Sequence, residues 1–139
     1  MKKRALILCT GNSCRSQMAE ALINDRRATT WEAFSAGTNP ADAPHPKALI
    51  ALAEIGIDTA GSTPTHLREF VGQSFDLVVT VCDDAAENCP VWTGQGKRVH
   101  EGFPDPAHAT GTEDDIMTVF REVRDDIETR ILALVDAES

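Results

Sequence analysis

Residues 4 to 23 read RALILCTGNSCRSQMAEALI. An uninterrupted apolar run ends at Cys9, gives way to small, turn-forming residues, and is followed at once by Met18, Ala21, Leu22 and Asp25 at helical spacing. That pattern predicts a strand over 4–9, a tight loop, and a helix over 16–27 beginning at Ser16. Strands and helices then alternate. We expect strand 31–36, helix 46–55, strand 75–82, a short strand over 97–100 and helix 113–136. Pro46 sits at a first helical position and Gly56 just past the apolar positions Leu49, Leu52, Ala53 and Ile55, which bounds the second helix. Thr112 caps the last, whose stripe of Ile116, Phe120, Val123, Ile127, Ile131 and Leu134 is read as core. The alternation predicts an α/β fold: one small, four-stranded, mostly parallel sheet with helices on both faces. A chain of 139 residues, 42% hydrophobic, suffices for one core, so residues 1–139 are expected to form a single domain.

In such sheets the ligand site lies beyond the carboxyl ends of the strands. Cys9 and Cys82 each end a predicted strand, and Asp105 follows the last one, so all three are expected on one rim. There the loop Thr10, Gly11, Asn12, Ser13, Cys14 and Arg15 can present backbone N–H groups to a tetrahedral oxyanion, reinforced by the helix dipole. Arg15 adds a planar fork that grips two oxygens together. The same groups, with a hydroxyl donor such as Ser16, favour the thiolate of Cys9 and make it a nucleophile aimed at the anion's central atom. Gly11 and Asn12 tolerate the left-handed backbone a tight cradle needs. Asp105, held between two prolines in FPDP, is placed to protonate a leaving oxygen. Taken singly, these fragments also fit a Gly-Asn turn with a buried cysteine and a proline turn with an exposed aspartate.

The net charge of −9 argues against nucleic acid and anionic membranes as partners. The opening MKKRALILCTGN imitates a signal peptide, but its apolar run is too short, and no stretch approaches membrane-spanning length. A cytoplasmic location is expected, with the four cysteines reduced and either inert or catalytic rather than paired as structural disulfides. Cys82 and Cys89 form a C-x6-C pair, a buried strand-end residue and an incidental neighbour when taken alone. The spacing is not that of zinc sites, so no metal is expected. Cys14 is treated as structural, and His45, His66, His100 and His108 as solvated or core residues.

CTGNSCRSQMAEA, SAG at 35–37, DLVVTVC ending at Cys82, Cys89-Pro90 and GFPDP together resemble the thioredoxin-coupled arsenate reductases, which share the low-molecular-weight protein tyrosine phosphatase fold. The loop is common to both groups; the pair Cys82 and Cys89 points to the reductase. The resemblance implies that Cys9 attacks arsenate held by residues 10–15 while Asp105 protonates the departing oxygen. Cys82 then attacks Cys9 and releases arsenite, and Cys89 attacks Cys82, leaving a Cys82–Cys89 disulfide for thioredoxin. It implies thioredoxin as reductant, no tightly bound cofactor, and a protein acting as a monomer. Asn12, Glu20 and Ser35 match the potassium site of some members, but His66 stands where those carry an acid.

Two other functions fit parts of the chain. A phosphotyrosine phosphatase would use Cys9, Arg15 and Asp105 alone, but the chain has no tyrosine and only His108 shortly after PDP to wall in an aryl ring. A non-enzymatic oxyanion or redox sensor would use the cysteine pair to signal. Should residues 83–89 form a helix when reduced, seven residues at 1.5 Å rise would part Cys82 from Cys89 by about 10 Å. A disulfide tolerates roughly 7 Å between α-carbons, so the segment would have to unwind on oxidation.

Overall fold

The computed structural model describes residues 2–83 and 89–138. Strands β1 (Lys3–Cys9), β2 (Trp31–Gly37), β3 (Leu77–Thr80) and β4 (Lys97–His100) form one sheet in the order β2-β1-β3-β4. Every pairing is parallel, so the mostly parallel sheet of the sequence analysis is wholly parallel. Central β1 is covered on both faces, which explains its unbroken apolar run. Ala5, Ile7 and Cys9 face one core, and Leu6 and Leu8 the other.

The helices α1 (Arg15–Arg26), α2 (Pro46–Ala53) and α3 (Glu113–Ala137) pack on the first of these faces. Among the described residues the opposite face carries one 3₁₀ turn, Leu67–Phe70, and an aromatic cluster of Phe34, Phe70, Phe75 and Trp92 with ring centroids 5.7–6.0 Å apart, so the α-helices expected on both faces lie on one, and aromatic rings cover the other. Helix α3 opens on a capping box between Thr112 and Asp115, as TEDD suggests. Its buried stripe holds Phe120, Val123, Ile127 and Ile131 as expected, but Met117 and Val135 fill the ends where Ile116 and Leu134 are only partly covered.

Three expectations shift. Helix α2 buries Ala48, Ala51 and Leu52 rather than Leu49, Ala53 and Ile55, because two small side chains let its backbone approach its neighbours closely. Helix α1 begins at Arg15, one residue before Ser16, whose side chain turns to the loop instead. Strand β3 stops at Thr80, so Cys82 lies two residues past the strand end. The ladder still reaches toward it, since Val81 N–H donates to Leu8 O at 2.9 Å and Phe103 N–H to Val81 O at 3.1 Å. Cys9 and Cys82 therefore leave adjacent parallel strands at the same edge of the sheet.

Candidate active site

The loop from Cys9 to Arg15 is held open from outside. Asn39 N–H donates to Thr10 O (3.0 Å), Ala41 N–H to Gly11 O (2.9 Å), and His45 N–H to Ser13 O (3.0 Å). Gln17 Nε2 donates to Asn12 O (3.1 Å). Four successive carbonyls are thus drawn outward. In a trans peptide the following N–H points the opposite way, so the amides of residues 11–14 are turned toward the hollow above Cys9. One already uses that direction: Asn12 N–H donates to Cys9 Sγ at 3.2 Å. Cys14, the N-cap of α1, makes no side-chain capping bond, leaving the first-turn N–H groups of the helix to an anion.

Asn12 has a φ of +50°, while Gly11 does not share the left-handed region, so of the two residues expected to supply it only Asn12 does. Fully buried, Asn12 organises the loop. Its Oδ1 accepts from Thr65 N–H (2.9 Å) and Gln17 Nε2 (3.3 Å), which leaves Nδ2 to donate to Ser16 Oγ (2.7 Å). Ser16 Oγ lies 2.9 Å from Cys9 Sγ. The sulfur already accepts from Asn12 N–H, and in the thiolate form it is an acceptor only, so Ser16 is then the donor of this pair. At the end of β2, Gly37 is required: a Cβ there would lie 2.9 Å from Cys9 O and closer still to Thr10 O.

Residues 9–15, Asp105 and His108 line a cavity of ≈ 210 Å³. Arg15 is 4% exposed; its Nη1 donates to Phe103 O (3.1 Å) and its Nη2 lies 3.6 Å from Asp105 Oδ2. Asp105 caps the 3₁₀ turn Pro106–His108 by accepting from Ala107 N–H (3.0 Å), which aims its second oxygen at Arg15. Asp105 and Arg15 therefore flank the space over Cys9, one a carboxyl group of the kind that can serve as a proton donor and the other a fixed charge. Burial pushes the Cys14 thiol up to about 12, despite a bond with Ser13, so it stays protonated beside the cradle.

Cys82 and Cys89 are joined as a disulfide with α-carbons 5.9 Å apart, within the reach such a bond allows. Cys9 and Cys14 are unpaired and buried, and the disulfide is the pair that the expected relay leaves, not one of the structural disulfides argued against. Cys82 is fully buried and Cys89 partly exposed. The proposed helix over 83–89 falls largely on residues 84–88, outside the described residues. Glu20, raised above the usual carboxylate range by burial, accepts from Ser35 Oγ (2.8 Å).

Sequence reasoning missed Gln17, Thr65 and the 39–45 strap. It also set aside His45, His66 and His108. His45 Nδ1 accepts from Lys47 N–H (3.1 Å) and caps α2, and its position directly before Pro46 was the available signal. His66 caps the Leu67–Phe70 turn in the same way, through Arg68 N–H (3.0 Å). His108 Nε2 stands at the cavity mouth, 3.7 Å from Asp105 Oδ2.

The sequence profile of the low molecular weight phosphotyrosine protein phosphatases matches residues 4–138. An arsenate reductase of Halalkalibacterium halodurans is 46% identical over 130 residues, 94% of this chain and 93% of that one. A solved arsenate reductase in its phosphate-binding state superposes with a TM-score of 0.77 at 28% identity, covering 99% of both chains. The thioredoxin-dependent arsenate reductase of Corynebacterium glutamicum superposes with a TM-score of 0.74 at 27% identity, covering 99% of this chain and 62% of that longer one. The cradle, its acid on the loop after β4 and the parallel sheet that presents both are matched from end to end, and the chain belongs to the low molecular weight phosphotyrosine protein phosphatase family.

Proposed function

We propose that the protein reduces arsenate to arsenite through Cys9, Cys82 and Cys89 and is regenerated by thioredoxin. The observation that carries this reading is the Cys82–Cys89 disulfide at the sheet edge from which the Cys9 cradle also rises. A phosphatase needs the cradle alone. Residues 10–15 bind the oxyanion, and Cys9 thiolate attacks arsenic as Asp105 Oδ2 passes its proton to the departing oxygen, which leaves as water. Cys82 thiolate attacks Cys9 Sγ; the sulfur–arsenic electron pair stays on arsenic, and arsenite leaves. Cys89 thiolate attacks Cys82 Sγ and frees Cys9 as thiolate. Thioredoxin supplies the two electrons that reopen Cys82–Cys89.

Of the residues matching a potassium site, Asn12 Oδ1 accepts from two N–H groups and Glu20 from Ser35 Oγ, while His66, standing where some members carry an acid, caps its own turn. The steps above use no cation. Among the described residues the cavity lining contains no aromatic ring beyond the imidazole of His108, which weighs against an aryl phosphate substrate. We place the activity in the cytoplasm, in a monomer. The test is arsenite production with thioredoxin, thioredoxin reductase and NADPH, against glutaredoxin with glutathione. Sustained turnover with the first system supports the reading; aryl phosphate hydrolysis without arsenite production supports the phosphatase.

A further inference from the structure

Of the three large apolar side chains most exposed among the described residues, Ile50, Val71 and Val91, two meet at one place. Val91 is 75% exposed and Val71 71% exposed. Both line a hollow of ≈ 110 Å³ with Leu67 and Trp92. On its other side Val91 borders a second hollow, of ≈ 290 Å³, with Val78, Pro90 and Val99. Val91, two residues after Cys89 and flanked by the buried Pro90 and Trp92, thus forms an apolar ridge between the two hollows, the larger of which is also lined by Thr80, Arg98 and His100.

The ridge is anchored from beneath. Trp92 is 5% exposed, packs edge-on against Phe75 at 5.7 Å, and donates its indole N–H to Gln95 O at 2.9 Å. Its carbonyl accepts from Arg98 Nη1 at 3.0 Å. A Cβ on Gly94 would lie 2.6 Å from the indole, so only glycine lets the chain fold back over the ring. With the tryptophan fixed inward, Val91 is held outward and 75% exposed.

We propose that this ridge and the Val71 hollow are the docking surface for the protein dithiol that reduces Cys82–Cys89, a thioredoxin-type protein that carries its nucleophilic cysteine in an apolar surface. The inference rests on the relay described above. Cys82 is fully buried, so an incoming thiolate can reach only Cys89. It forms a mixed disulfide with Cys89 and expels Cys82 as thiolate. The donor's second thiol then displaces Cys89, and two electrons have passed. A donor whose sulfur meets Cys89 must cover the next residues, Pro90, Val91 and Trp92. Transient redox partners bury roughly 1,200 Å² or less in total.

The test uses the purified, oxidised full chain and follows the opening of Cys82–Cys89 by thiol labelling, with no arsenate present. Val91→Asp and Val71→Asp should each slow reduction by reduced thioredoxin about tenfold, and together more, while the rate with tris(carboxyethyl)phosphine is unchanged. Ile50→Asp, which touches neither hollow, should leave both rates as in the parent. A double variant reduced by thioredoxin at the parental rate overturns the proposal, as does equal slowing with the phosphine. Failure of arsenate reduction with every reductant would instead overturn the function, and the labelling assay would still decide the docking surface.

Discussion

Ser16 Oγ stands 2.9 Å from Cys9 Sγ and is held there by Asn12 Nδ2, which donates to it at 2.7 Å, so that Ser16 can donate its proton to a Cys9 thiolate. The chain of bonds runs from Thr65 N–H through Asn12 to Ser16 and ends on the nucleophile. A hydrogen bond to a charged group contributes about 1.5–3 kcal/mol. Ser16→Ala should therefore slow alkylation of Cys9 by iodoacetamide, and arsenate turnover, by roughly tenfold or more, while phosphate still raises the melting temperature. Thr65 acts through its backbone, so Thr65→Ala should leave both rates near the parental value. An unchanged Ser16→Ala rate would remove the hydroxyl from the mechanism.

The cysteines have unequal parts, which single substitutions separate. Cys9→Ser should abolish reduction. Cys89→Ser should release about one arsenite per molecule and stall as Cys9–Cys82, since nothing then reopens that bond. Cys14 is held as a thiol by burial, at about 12, so Cys14→Ser should go on turning over. Quantifying arsenite per enzyme over a single mixing with arsenate checks all three, and sustained thioredoxin-driven turnover by Cys89→Ser would sink the relay.

The parts of this site that chemistry concentrates in side chains were legible: Cys9, Arg15 and Asp105 converge because each lies at or beyond the carboxyl end of a strand of a parallel sheet. The strap that shapes the cradle was not, since Asn39, Ala41 and His45 act on it through backbone N–H groups, which no residue type announces. The end of β3 was overrun for a related reason. Val81 and Cys82 continue the apolar run because they are buried, although the pairing stops at Thr80. In α2 the leucine-weighted periodicity misplaced the inner face, where two alanines serve close packing.

Asp105 shares one oxygen with a turn cap and turns the other toward Arg15. Asp105→Asn keeps an acceptor for Ala107 N–H and the shape of the turn but loses the proton. Turnover should fall by roughly a hundredfold or more, with oxyanion binding retained. Arg15→Ala should do the reverse to binding: phosphate, sulfate or arsenate should lose most of their stabilising effect on the reduced protein. Thermal melts with and without each anion, beside arsenite production, distinguish the two. Equal protection of Arg15→Ala and parent would place the anion elsewhere.

His45 links the cradle to α2. Its backbone N–H holds Ser13 O, its Nδ1 accepts from Lys47 N–H, and its ring packs on Phe120 at 4.8 Å. Burial first, then the Lys47 charge, hold it below the ordinary histidine value of 6.5, with Asp105 opposing. A protonated ring would also turn the capping acceptor into a donor. The unfolded chain thus takes up the proton at a higher pH than the folded one. Stability is fully present above 6.5 and is lost as the pH falls below it toward the folded value. Asn caps helices well without titrating. His45→Asn should therefore flatten the decline in melting temperature between about pH 7 and 5.5 while matching the parent near pH 7.5. Because the same residue carries Ser13 O, the phosphate-induced rise in melting temperature should also weaken with acid in the parent more than in the variant. Parallel melting curves across this range, at constant ionic strength, would show that His45 takes up its proton equally in the folded and unfolded states and has no part in acid sensitivity.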